Sequence, residues 1–143
     1  MSAGTANGGG LTLTRGGAAQ EFTVTLRNGN TRAYQHLHLA FQMEILVPEP
    51  GDRPALSSFV LERRDPATGT WRPAALRIAN DVLPASLLDG GSPLARDAVR
   101  TERYRLRATA AGPSGSTPLM VTLVDTDTDT TVARTTIPHT TRV

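Results

Sequence analysis

The chain alternates. Along most of its length, apolar and polar residues follow one another with a period of two, the signature of strands with one buried face. "EFTVTLRN" (21–28) sets Phe22, Val24 and Leu26 on one side and Glu21, Thr23, Thr25 and Arg27 on the other. "AYQHLHLAFQMEILV" (33–47) is the longest such run. Leu37, Leu39, Phe41, Met43 and Ile45 share one parity, while His36, His38, Ala40, Gln42 and Glu44 share the other. "SSFVLERRD" (57–65) and "TWRPAALRI" (70–78) flank a "PATG" turn, with Phe59 and Leu61 on one face and Trp71 packing nearby. "AVRTERYRLRATA" (98–110) turns Tyr104, Leu106 and Ala108 inward and Arg103, Arg105 and Arg107 outward. "PLMVTLVDT" (118–126) and "TTVARTTIP" (130–138) read as antiparallel partners around an Asp/Thr turn, and "LTLT" (11–14) as a short strand.

Between these runs lie turn and breaker signals. "NGN" (28–30), "PEPGDRP" (48–54) and "GPSGS" (112–116) interrupt the alternation. Residues 79–97 hold a brief helical rhythm cut by Pro84, Gly90, Gly91 and Pro93. They read as a loop crossing from one sheet to another. Residues 1–10 are mostly Gly, Ala, Ser, Thr and Asn, too polar to offset chain entropy by burial, and read as a flexible arm. The expectation is one all-β domain over 11–143, an antiparallel β-sandwich of seven or eight strands.

Composition narrows the chemistry. With 143 residues the chain is long enough for one real core. It has no cysteine, which excludes disulfides, thiol catalysis and Cys-ligated zinc. All 15 basic residues are arginine and 13 carboxylates nearly balance them, leaving a net charge of +2. That balance, with only 4% aromatic residues, argues against nucleic-acid binding. No run approaches the roughly 18 apolar residues of a membrane span. Residues 1–10 also lack the basic and apolar regions of a signal peptide.

The segments "EFTVTLRNGNTRAY", "LERRDPATGTWRPA" and "YRLRATA…MVTLVD" resemble immunoglobulin-like domains of secreted or wall-associated actinobacterial proteins. The likeness spans about residues 18–126. It implies an immunoglobulin-like sandwich and an extracellular or cell-surface setting, and its motifs are structural. Tyr104 fits either the tyrosine corner of such domains, its hydroxyl bonded to loop backbone, or a plain core tyrosine.

Candidate chemistry is sparse. His36 and His38 stand at i and i+2, on one strand face, where two imidazoles can share a metal. Gly29, His36, His38, Glu44 and Gly51 resemble the first cupin motif. Glu44, however, lies roughly 20 Å from His38 along a straight strand at about 3.3 Å per residue. The remaining histidine, His139, sits in what reads as a polar C-terminal tail. "DTDTDT" supplies Asp125, Asp127 and Asp129 in alternation, a calcium-like composition without the glycine bend or distal glutamate of an EF-hand loop. The simpler readings are a solvated strand face and a polar hairpin turn. Arg103, Arg105 and Arg107 form a basic stripe, suited to an acidic partner or to a soluble outer face. No serine-nucleophile, Walker or Rossmann pattern occurs.

The expectation is therefore a non-catalytic module without cofactor or metal, presenting surfaces to a protein partner or the cell envelope. Its binding surfaces would be sheet edges and the end loops 47–56 and 79–97. One alternative is a phage decoration or tail protein, in the virion, with the arm ordering on lattice contact. The other is a cupin-like metal protein using His36 and His38.

Overall fold

The computed structural model describes residues 1–29, 32–44, 59–78 and 91–143. These residues are all strand, turn and irregular backbone, without a helix. In chain order the strands are β1 (Ser2–Gly4), β2 (Leu11–Thr14), β3 (Gln20–Arg27), β4 (Tyr34–Met43), β5 (Phe59–Arg64), β6 (Trp71–Pro73) and β7 (Arg77–Ile78). They continue with β8 (Ser92–Leu94), β9 (Val99–Ala108), β10 (Gly115–Ser116), β11 (Leu119–Asp125), β12 (Thr130–Ile137) and β13 (His139–Arg142). The long strands β3, β4, β5, β9, β11 and β12 are the ones that the alternation marks.

Two sheets carry the core. The first runs β1-β3-β9-β5-β6, antiparallel throughout. The second runs β12-β11-β4-β7, with β8 also paired to β4. A third, small sheet runs β10-β13-β2, and its β13–β2 pair is parallel. Phe22, Val24 and Leu26 from β3, Leu61 from β5 and Leu106 from β9 meet Phe41 and Met43 from β4 and Val121 and Leu123 from β11 in one buried cluster. Phe22, Phe41 and Tyr104 pack ring to ring, with centroids 4.6–6.2 Å apart.

The described residues form thirteen strands, many of them short, against the seven or eight expected, and the pairs β13–β2 and β4–β7 are parallel where an antiparallel sandwich is expected. Four further features differ from the sequence reading. Ser2–Gly4 is not a free arm but a strand on β3, with Met1 and Ala3 against the core. The segment 70–78 is not one returning strand. β6 stays with β5, and the chain passes to the second sheet so that β7 lies parallel to β4. Trp71 takes the parity of Arg64, its register partner, and so sits away from Phe59 and Leu61, half-buried beneath Arg105. The supposed tail is β13, with His139 and Thr141 buried.

Turns follow local chemistry. At 65–70, Asp65 accepts the Ala67 N–H and Gly69 takes a φ of +72°, closing the β5–β6 hairpin. Of the two expected binding loops, 47–56 and residues 79–90 lie outside the described residues. Residues 92–94 are strand β8.

Candidate functional site

The histidine pair divides. His36 is exposed, and its Nδ1 lies 2.9 Å from Asp127 Oδ1 and 3.1 Å from Oδ2. His38, two residues on, lines a cleft with Leu39, Arg63 and Tyr104. Strand parity would put both rings on one patch. The register of β4 with β8 shifts between Tyr34 and Leu37, so His36 lies within the irregularity and His38 just beyond it. Glu44 follows the end of β4 and is exposed. Among the described residues, no three His, Asp or Glu side chains gather as a metal site.

The acidic run forms the β11–β12 hairpin, and the carboxylates of Asp125 and Asp127 have partners. Asp125 is buried, accepts the Asp127 N–H at 3.0 Å and pairs with Arg32 at 3.5 Å. Asp127 holds His36. Asp129 takes the left-handed conformation, φ +53°, that turns the chain. These are the contacts of a hairpin whose side chains bond nearby backbone.

The arginine stripe is a set of cross-strand pairs. Arg103 meets Glu21 at 2.8 Å, and Arg105 meets Glu62 at 3.0 Å while lying over the Trp71 ring. Arg107 is exposed.

Sequence reading passed over the inner face of β9. Arg100, Glu102, Tyr104, Leu106 and Ala108 share one parity, so two charged residues point toward the opposite sheet. Glu102 is 9% exposed at its side chain and pairs with Arg63 at 2.6 Å. The Tyr104 hydroxyl donates to Glu102 Oε2 at 3.3 Å. Tyr104 is therefore a core tyrosine joined to a carboxylate, not a tyrosine corner bonded to loop backbone. Burial, then the Glu102 charge, push its phenol pKa well above the ordinary value, so it stays protonated and donating. Arg100 donates from Nη1 to the Pro93 carbonyl at 3.0 Å. The Nε atoms of Arg63 and Arg100 are both buried without an acceptor among the described residues.

Two adjoining clefts open on this cluster. The larger, about 320 Å³, is walled by Leu39, Phe41, Pro73 and Ala74, with Arg63, Arg72 and Asp65 at its rim. The smaller, about 190 Å³, lies between Arg63, Arg100, Glu102 and Ser92. His38, Leu39, Arg63 and Tyr104 line both. Gly91 closes one wall. With φ +111°, it sits where a Cβ would come within 2.6 Å of the Leu37 carbonyl oxygen. The sequence carries one signal for this site: charged residues at inward parity in β9, flanked by strong apolar alternation.

His139 is the second feature missed. It is 4% exposed and donates from Nδ1 to the Thr117 carbonyl at 3.0 Å. A carbonyl can only accept, so the neutral ring carries its proton on Nδ1 and Nε2 accepts from Thr141 Oγ1. The Phe59 ring stands edge-on to it, 5.3 Å between centroids, and Arg15 lies over that ring. Burial lowers the His139 pKa; the Thr117 carbonyl opposes the shift and the Arg15 charge adds to it.

No protein-family model matches the chain, and no curated protein matches it. Among solved structures it is similar to a family 123 glycoside hydrolase from Clostridium perfringens, studied for glycolipid glycan hydrolysis, at 8% identity and a TM-score of 0.46. The match covers 92% of this chain and 22% of that one, so the chain spans about a fifth of the hydrolase's length. A likeness at this distance carries no inference about activity.

Proposed function

We propose that the chain is a non-catalytic, immunoglobulin-like β-sandwich module that binds a protein partner in an extracellular or cell-surface setting. The observation that carries this reading is the edge strand β12. It is eight residues long, pairs only with β11 among the described residues and holds one charged side chain, Arg134. An edge of this kind offers backbone N–H and C=O groups to an added strand. A bulge between its Ala133 and Thr131 pairings leaves Thr135 and Thr136 on the regular stretch beyond it.

Two further observations support a scaffold role. His36 of β4 and Asp127 of the β11–β12 turn hold each other, and His139 is consumed by Thr117 and Thr141. The cupin alternative needs His36 and His38 to share an ion, and they have different surroundings. The lattice-clamp alternative needs a free arm, whereas residues 2–4 are already paired to β3.

The chain has no cysteine, so a single introduced thiol is a clean attachment point. Thr136→Cys and Thr101→Cys, both at exposed positions, would each carry a photo-crosslinker into an envelope fraction of the native host. Edge binding predicts one discrete protein adduct from position 136 and none from position 101. Equal adducts from both positions, or none from 136, would sink the reading.

A further inference from the structure

We propose that the joined clefts above Arg63 form a binding site for a small carboxylate with an apolar or aromatic body. The inward face of the first sheet carries a charge imbalance. Arg63 and Arg100 both point toward the opposite sheet, and one carboxylate, Glu102, stands between them in the smaller cleft. That carboxylate is already divided, since it takes Arg63 Nη2 and the Tyr104 hydroxyl. Among the described residues, each guanidinium also keeps a buried Nε–H without an acceptor. The Arg63 side chain is 42% exposed and water relieves part of its charge, but the buried Nε–H edges are left unmet by the shared carboxylate. A second anion lodged between the two arginines balances the set. Planar guanidinium groups suit a planar carboxylate better than a point charge would.

The neighbouring surface defines the rest of the ligand. From Arg63 the larger cleft continues over Leu39, Phe41, Pro73 and Ala74, with the Tyr104 ring in both clefts. An apolar body lies there while the acid end faces Arg63, Arg100 and Ser92. Asp65 feels the charges of both Arg72 and Arg63 and so offsets part of the positive charge at the larger cleft. Its Oδ1 accepts the Ala67 N–H and its Oδ2 faces Arg72 at 3.4 Å, so its nearest cation is Arg72. Small-molecule sites commonly combine an apolar floor with a few convergent polar groups in this way. The site is separate from the β12 edge, and neither proposal depends on the other.

The test is a titration with phenylacetate, followed by NMR at the His38 and Tyr104 rings, with phenylacetamide as the neutral isostere. Binding should saturate with phenylacetate and be at least fivefold weaker with the amide. Arg100→Gln and Arg63→Gln should each weaken phenylacetate at least fivefold. Arg103→Gln, on the outer face of the same strand, should leave its affinity unchanged. Arg63 holds Glu102, so its replacement is also a risk to folding; the Arg100 variant alone then decides. Equal affinity for acid and amide, wild-type affinity in Arg100→Gln, or shifts that never saturate would each overturn the proposal.

Discussion

Strand β9 is two surfaces in one. Beyond Tyr104, its inner face is Leu106 and Ala108, both at most 1% exposed. Before Tyr104, the same parity carries Glu102 and Arg100. One half packs as a core, and the other half holds ions by named partners. β3 pairs with β9 from Val99 to Leu106 and so flanks both halves, whereas β5 pairs only from Tyr104 to Ala108 and leaves the charged half with one neighbour. The difference teaches that sheet register alone does not make a core. The side chains at one parity decide where the oily layer stops and where a pocket opens.

The first way to sharpen this contrast is Leu106→Ala. Leu106 is 0% exposed, so its loss leaves a cavity and should cost about 2–5 kcal/mol, read by denaturant unfolding. A cost below about 1 kcal/mol would mean that this half collapses easily and is no true core. Glu102→Ala comes next. It removes the buried carboxylate and leaves Arg63 uncompensated, but the Arg63 side chain is 42% exposed and water relieves part of the penalty. The expected cost is about 1–3 kcal/mol, and the double variant Glu102→Ala/Arg63→Met should recover some of it.

His139 breaks the simple division, because a polar ring sits in the oily half beside Phe59. Its folded pKa is depressed, so below the unfolded value of about 6.5 the unfolded chain binds a proton that the native ring refuses. Its contribution is full above that pH and is lost as pH falls through the folded pKa. The slope from this group is at most about 1.4 kcal/mol per pH unit. Chemical denaturation between pH 7 and 5 should show the loss, and His139→Gln should flatten that part of the profile. Tyr104→Phe keeps the ring packing and removes one hydroxyl, for about 0.5–1.5 kcal/mol. Smallest of all is Arg103→Ala. This outer pair is 45% and 53% exposed, and its removal should move the unfolding midpoint barely beyond error.

These regions were not equally legible in the sequence. The oily half announces itself, because Phe22, Val24, Leu26, Leu106 and Ala108 alternate with polar neighbours and period two assigns their face. The charged half is written with the same parity, yet hydrophobic patterning skips over Arg100 and Glu102 as surface residues. Only their inward phase betrays them. β13 was hidden for a related reason. "HTTR" has no apolar residue, and its burial depends on Thr117 and on Leu11 and Leu13 of β2, far away in the chain. The step from β6 to β7 was equally opaque, since periodicity names a face but not the sheet that a strand joins. The separation of His36 from His38 rests on long-range packing against Asp127 and Arg63, which no local spacing encodes.

The parallel seam between β2 and β13 sets the timing of assembly. Residues 11–14 leave the ribosome well ahead of their partners, 139–142, which emerge more than a hundred residues later. Until then Leu11 and Leu13 have no roof, and a chaperone or a neighbouring nascent chain has time to find them. Stalled translation just short of Pro138 should therefore yield a sticky, protease-sensitive intermediate.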